Sequence, residues 1–181
     1  WPRDVEQIRL ELVGQIGGAS YAVDVQCGYA YVGVGPRLVV MDISDPADPI
    51  VLGQTAVLPG VVKDVVVAGG YAYVASGEAG LRVISVSDPA YPTEVGFYDT
   101  PGYAYGVAIA DNHAYVADWK AGLRIISVSD PVHPTEVGHY DTPGSARDVA
   151  IAEGYAYVAA HTAGLRIVSI SDPAHHTEVG Y

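Results

Sequence analysis

Residues 103–144 run YAYGVAIADNHAYVADWKAGLRIISVSDPVHPTEVGHYDTPG, four short apolar runs set apart by turn-forming residues. Tyr105–Ala110 is the first run, and Asp111-Asn112 closes a tight turn behind it. His113–Ala117 is the second, followed by a turn that ends at Gly122. Leu123–Ser129 is the third, and Asp130-Pro131 opens a longer turn before Glu136–Tyr140, the fourth. Val, Ile and Tyr suit a pleated surface. The pairs Gly69-Gly70, Asp111-Asn112 and Glu153-Gly154 suit the left-handed backbone of short hairpins. No window carries a capped helical period. The stretch reads as a four-stranded antiparallel meander.

The same unit recurs along the chain. Ser-Asp-Pro begins at Ser44, Ser87, Ser129 and Ser171, in steps of 43, 42 and 42 residues. Tyr-Val returns in register at Tyr31, Tyr73, Tyr115 and Tyr157, and Leu-Arg at Leu81, Leu123 and Leu165. The units divide at about 18–60, 61–102, 103–144 and 145–181, with 10–17 as an extra outer strand. Val65–Val67 and Val39–Met41 are apolar at consecutive positions, so both faces of these strands must be covered. Stacking four-stranded sheets radially covers both, and a period of about 42 with four strands per unit is that of a β-propeller blade. The expected fold is all-β, a propeller of four four-stranded antiparallel blades forming one domain, either a closed four-bladed ring or an open arc completed by self-association.

Leu38-Val39-Val40-Met41-Asp42 followed by Ile43-Ser44-Asp45-Pro46 resembles the LVIVD-repeat family, whose units form propeller blades in bacterial and archaeal proteins, often at the cell surface. The resemblance covers all four units, although Leu81-Arg82-Val83-Ile84-Ser85 ends in Ser where the family pattern ends in Asp. It implies the blade fold and an extracellular or cell-envelope location. It implies no shared catalytic residue.

The ends do not balance. Fourth strands run near Ile50–Ala56, Glu94–Tyr98 and Glu136–Tyr140, and two further copies sit at Glu11–Ile16 and Thr177–Tyr181. In a closed ring Glu11–Ile16 would pair with Leu165–Ser171, and Thr177–Tyr181 would compete for that place. In an open arc, cut from a longer propeller or completed by a second copy, two four-unit chains would make an eight-bladed ring, within the usual range of about four to eight blades. The self-associated or truncated arc is the preferred expectation. The chain begins Trp1-Pro2-Arg3 without Met, so its natural start is expected to be missing or processed.

Composition narrows the partners. Nine Lys and Arg stand against 21 Asp and Glu, and the net charge of −12 repels phosphate backbones and anionic lipid. No apolar run approaches the roughly 20 residues of a membrane-spanning helix. Nucleic acid and a membrane span are therefore not expected. Cys27 is the single cysteine, which rules out an intrachain disulfide, and it is expected to be a buried or turn thiol rather than a nucleophile.

Because the units are alike, recognition should lie where they differ. After the second strand, equivalent places hold Gly77, Trp119 and His161, then Glu78, Lys120 and Thr162. Before the first strand they hold Val61-Val62-Lys63, Tyr103-Ala104-Tyr105 and Ser145-Ala146-Arg147. A four-stranded meander brings both sets to one face around the channel mouth. Aromatics and Arg are common interface anchors, and loops on a rigid scaffold carry recognition. Trp119, Lys120, His161, Tyr103, Tyr105, Arg147 and Lys63 are the candidate binding residues of a non-enzymatic binding or scaffold module, whose partner is a protein or a small ligand. Drift in unconstrained loops would give the same variability.

Two alternatives remain: an enzyme or cation site at the mouth built from Asp24, Asp64 and Asp148, where the third unit has Gly106, and a purely structural self-assembling fragment. No cofactor is expected, with calcium the one weak candidate, because no local cluster supplies six to eight oxygens. Asp45, Asp88, Asp130 and Asp172 read as turn formers. Arg82, Arg124 and Arg166 are expected to face Glu94, Glu136 and Glu178 across neighbouring strands. The histidines His113, His133, His139, His161, His175 and His176 form no zinc motif, and no nucleophile elbow or phosphate loop is present.

Overall fold

The structure is a computed structural model that describes residues 19–172 and 177–180. Its strands fall into four antiparallel sheets of four, each in simple meander order. Blade 1 is β1 (Ser20–Gln26), β2 (Tyr29–Val34), β3 (Arg37–Asp42) and β4 (Ile50–Gln54). Blade 2 is β5 (Asp64–Ala68), β6 (Tyr71–Ala75), β7 (Leu81–Ser85) and β8 (Thr93–Tyr98). Blade 3 is β9 (Gly106–Ala110), β10 (His113–Ala117), β11 (Leu123–Ser127) and β12 (Thr135–Tyr140). Blade 4 is β13 (Asp148–Ala152), β14 (Tyr155–Ala159), β15 (Leu165–Ser169) and β16 (Thr177–Gly180). The predicted meander is the observed one. A three-residue 3-10 turn, His161–Ala163, is the one helical element among the described residues.

The double-sided apolar strands are buried as their composition requires. Val65, Val67, Ala72, Val74 and Ile84 of blade 2 pack with Ala22, Tyr31, Leu38 and Val40 of blade 1. The opposite face of blade 2 (Tyr73, Leu81 and Val83) packs on Val107, Val116 and Ile126 of blade 3. Blade 3 repeats this against blade 4 through Leu123, Ile125, Val149 and Val158. Each buried Leu or Ile contributes about 1.5–3 kcal/mol by leaving water. The inner strands pack in sequence, β1 on β5, β5 on β9 and β9 on β13, while no comparable packing joins β13 back to β1 among the described residues. The row of sheets is a propeller that is not closed.

Thr177–Gly180 takes the outer place on β15, so the last blade is completed by the end of its own unit. The other candidate for that place, Glu11–Ile16, lies outside the described residues.

The expected Arg–Glu pairs form across neighbouring strands, on a shifted register. Arg82 and Arg124 do not lie opposite Glu94 and Glu136. A bulge between Val83 and Ile84 puts Arg82 opposite Phe97, and one between Ile125 and Ile126 puts Arg124 opposite His139. The ion pairs still form, diagonally, at 3.3 Å for Arg82–Glu94, 3.4 Å for Arg124–Glu136 and 2.9 Å for Arg166–Glu178. The turn aspartates behave as expected. Asp45, Asp88 and Asp130 each accept the backbone N–H two residues on, at 3.0, 3.0 and 3.1 Å.

Candidate functional site

The turns after the second strands and the segments before the first strands share one face, as predicted, and are bonded to each other across blades. Gly77 and Ala104 exchange backbone hydrogen bonds at 3.1 and 3.0 Å, and Trp119 and Ala146 at 3.0 and 2.9 Å. Each turn of one blade thereby fixes the approach of the next inner strand, and this stitching forms the floor of the channel mouth.

On that floor the cationic and aromatic side chains interleave. The Lys63 ammonium lies 4.5 Å from the Tyr21 ring centroid and 5.8 Å from that of Tyr103. Tyr103 stacks against Tyr105 with centroids 4.7 Å apart. The Arg147 guanidinium sits 4.6 Å from the Tyr105 ring, and Lys120 Nζ 4.8 Å from the Trp119 ring. Cations over aromatic faces within about 6 Å are attracted by the ring quadrupole. Six of the seven residues singled out from sequence are thus held on one surface spanning blades 2 to 4, with Tyr21 added from blade 1. His161 stands apart, exposed in the last turn. Tyr21 was missed because its unit differs most from the others in this region.

Tyr103, Trp119, Lys120 and Glu78 line a cleft of about 410 Å³ between blades 2 and 3. That is within the range of small-ligand pockets. A wider depression of about 590 Å³ lies on the outer rim against Phe97, Val132 and His133, where the units vary little.

Trp119 and His161 hold φ of 53° and 46°, where the second unit has Gly77 at 58°. A bulky residue in the left-handed region costs of order 1–3 kcal/mol, and glycine does not carry that cost. The sequence signal was available in the alignment of Trp119 and His161 with Gly77.

The three mouth aspartates are engaged by backbone amides. Asp64 accepts Val65 N–H at 2.9 Å through Oδ1 and Val107 N–H of the next blade at 2.8 Å through Oδ2. Asp24 does the same with Val25 and Val67, both at 2.7 Å. Asp148 accepts Val149 N–H at 2.9 Å through Oδ1. The strand pairing corrects one expectation: Ala22, not Asp24, stands at the position of Asp64 and Asp148, because Asp24 pairs with Tyr31 where Val66 pairs with Tyr73. Burial pushes the Asp64 carboxyl up from its ordinary value, against the pull of its two amides, and the Asp148 and Asp24 charges add to the rise. Asp118, buried at the Trp119 turn, is also raised by burial, although Thr100 Oγ1 donates to it at 2.6 Å and Gly102 N–H at 2.8 Å. No group of three or more His, Cys, Asp or Glu among the described residues is placed to hold a metal ion. Among the described residues no helix is long and apolar enough to cross a membrane. Cys27 is exposed in the first hairpin turn.

The LVIVD repeat matches the chain four times, over residues 17–56, 59–100, 101–142 and 143–181. No curated protein matches it. Among solved structures, the computationally designed Ika4 protein superposes with a TM-score of 0.73 at 11% identity, over 91% of this chain and all of that one. The computationally designed Ika8 protein superposes with a TM-score of 0.70 at 9% identity, over 86% of this chain and 47% of that one. These two likenesses concern the fold.

Proposed function

The chain belongs to the LVIVD repeat family, and on that premise we propose that it is a non-enzymatic binding module whose partner docks on the channel mouth. Trp119 carries this reading: a large aromatic is kept at a left-handed turn position that favours glycine, and its ring lines the cleft beside Tyr103 and Lys120. Both lysines of the chain, Lys63 and Lys120, lie on this face with Arg147, although the whole molecule carries −12. The ligand is accordingly anionic, with a flat or apolar part that stacks on Trp and Tyr. Family membership favours action at the cell envelope or outside the cell.

The test is titration with sulfonated and carboxylated naphthalene probes, followed by Trp fluorescence and calorimetry. Trp119→Ala, Tyr105→Ala and Arg147→Ala should each weaken binding at least 10-fold and leave the circular dichroism unchanged. Full binding by all three variants would overturn the assignment of this face.

A second reading stands beside it, favoured by the unclosed row of sheets: a second copy of the chain completes the ring.

A further inference from the structure

Every junction between blades is built by one rule. A left-handed turn residue of one blade accepts the backbone N–H of the residue two before the next inner strand. Gly35 accepts from Val62 at 2.9 Å, Gly77 from Ala104 at 3.0 Å and Trp119 from Ala146 at 2.9 Å. The leucine opening the third strand packs at the same level, Leu81 in one cluster with Ala104 and Val107, Leu123 in one with Ala146 and Val149. At the first two junctions a carboxylate of the inner strand also accepts an amide of the next, Asp24 from Val67 and Asp64 from Val107.

Blade 4 carries the leading half of this rule with nothing opposite it among the described residues. Leu165 is 49% exposed where Leu81 and Leu123 are 0%. His161 takes the same left-handed turn, and its carbonyl accepts from Gly164 within that turn. Among the described residues no amide donates to the Oδ2 of Asp148 as Val107 does to that of Asp64. Blade 1 carries the trailing half. Ser20 stands at the place of Ala104 and Ala146, and Val23 at the place of Val107 and Val149. Val23 is 62% exposed where Val107 is 2% and Val149 is 6%. The Val25 N–H turns to the free edge, where it meets Asp24 Oδ1, so strand alternation puts the Val23 N–H on that edge too.

We infer that two copies of the chain close a ring by this same rule, blade 1 of each seated on blade 4 of the other. In each of the two junctions Leu165 packs on Val23, His161 pairs with Ser20, and Asp148 Oδ2 accepts the Val23 N–H. This rests on the reading of the chain as an arc that a second copy completes, and it adds the register. Two arcs give eight blades, inside the range of about four to eight that propellers adopt. A head-to-tail contact repeated by a twofold axis is closed. On blade 1, Ala30, Val32, Val39 and Met41 are already buried, so each junction uses the inner, mouth-side part of the face. Such limited contacts make a dimer that dissociates on dilution.

Sedimentation velocity of the full chain between about 1 and 200 µM is the first arm. The expected result is a concentration-dependent shift from 18.9 kDa to twice that mass. Leu165→Glu and Val23→Glu lie at exposed positions, so each should raise the dissociation constant at least 10-fold while the dilute protein keeps its melting temperature. The second arm replaces Cys27 by Ser and oxidises Ser20→Cys/His161→Cys, expected to give a covalent dimer that neither single-cysteine variant gives. A dimer without the disulfide would overturn the register alone. A disulfide within one 18.9 kDa chain would overturn the arc. Monomer at every concentration without a disulfide would overturn the docking, and a ladder of longer species would overturn closure by two copies.

Discussion

Asp64 separates a structural carboxylate from a chemical one. Its Oδ1 holds Val65 N–H and its Oδ2 holds Val107 N–H, so Asp64→Ala leaves two part-buried amides unanswered, one of them across a blade junction. Leaving a buried amide unsatisfied costs about 1–3 kcal/mol. Removing a carboxylate that is itself disfavoured by burial returns part of that cost. The expected net loss is about 2 kcal/mol, or about 4–8 °C in Tm for a domain of this size. The pH dependence has a definite sign. Because burial raises the folded-state pKa of Asp64, the folded chain binds more protons than the unfolded one between 3.8 and the raised value. Wild-type stability from this group therefore increases as pH falls through that window, and Asp64→Ala lacks the increase. Urea unfolding at pH 7 and at pH 4, with calorimetry in parallel, measures both effects. An unchanged Tm in Asp64→Ala, together with loss of divalent-cation binding that the wild type shows, would refute the structural role and favour the metal alternative.

Leu123→Ala should cost about 2–5 kcal/mol in urea unfolding, because Leu123 is fully buried between blades 3 and 4. Trp119→Gly should retain or raise Tm by relieving a left-handed backbone, while it removes binding of aryl anions, so fluorimetry and calorimetry move in opposite directions. Tyr140→Phe removes a hydrogen bond to Glu178, whose carboxyl is held below its ordinary value first by Tyr140 and then by Arg166. The Glu178 titration observed by NMR should rise in that variant, and the stability that this group supplies above its unfolded pKa should be lost at higher pH as acid is added. Asp118→Asn should be better tolerated than Asp118→Ala by about 1–3 kcal/mol, since the amide can still serve Gly102 N–H and Thr100.

Much of the architecture was legible from local patterns, and the remainder depends on spacing between sheets. The period, the four strands per unit and the turn role of Asp45, Asp88 and Asp130 follow from residue type and distance along the chain. So does the common face of Lys63, Tyr103, Tyr105, Trp119, Lys120 and Arg147. The diagonal placement of Arg82 and Arg124 was not legible, because single extra residues, Val95 in β8 and Val137 in β12, shift the register between strands. Asp24 was misplaced for a related reason. It also sits before a Val on an inner strand, and two residues of offset are invisible until Tyr31 and Tyr73 are set side by side. The bonds from Asp24 to Val67 and from Asp64 to Val107 could not be read either, since they depend on how closely two sheets approach. The same holds for the ties from Tyr98 to Glu136 and from Tyr140 to Glu178, which join neighbouring blades.

The distance between the first hairpin turns of blades 1 and 4 within one chain reports most directly on the shape that the mouth and its loops depend on. Spin labels on Cys27 and Glu153→Cys, diluted with unlabelled protein, measure it. With Cys27 replaced by Ser, Asp111→Cys and Glu153→Cys give the adjacent-blade reference. An arc predicts that the pair at 27 and 153 lies well beyond the pair at 111 and 153. Equal distances would mean that blade 4 meets blade 1 of its own chain, and would contradict the account.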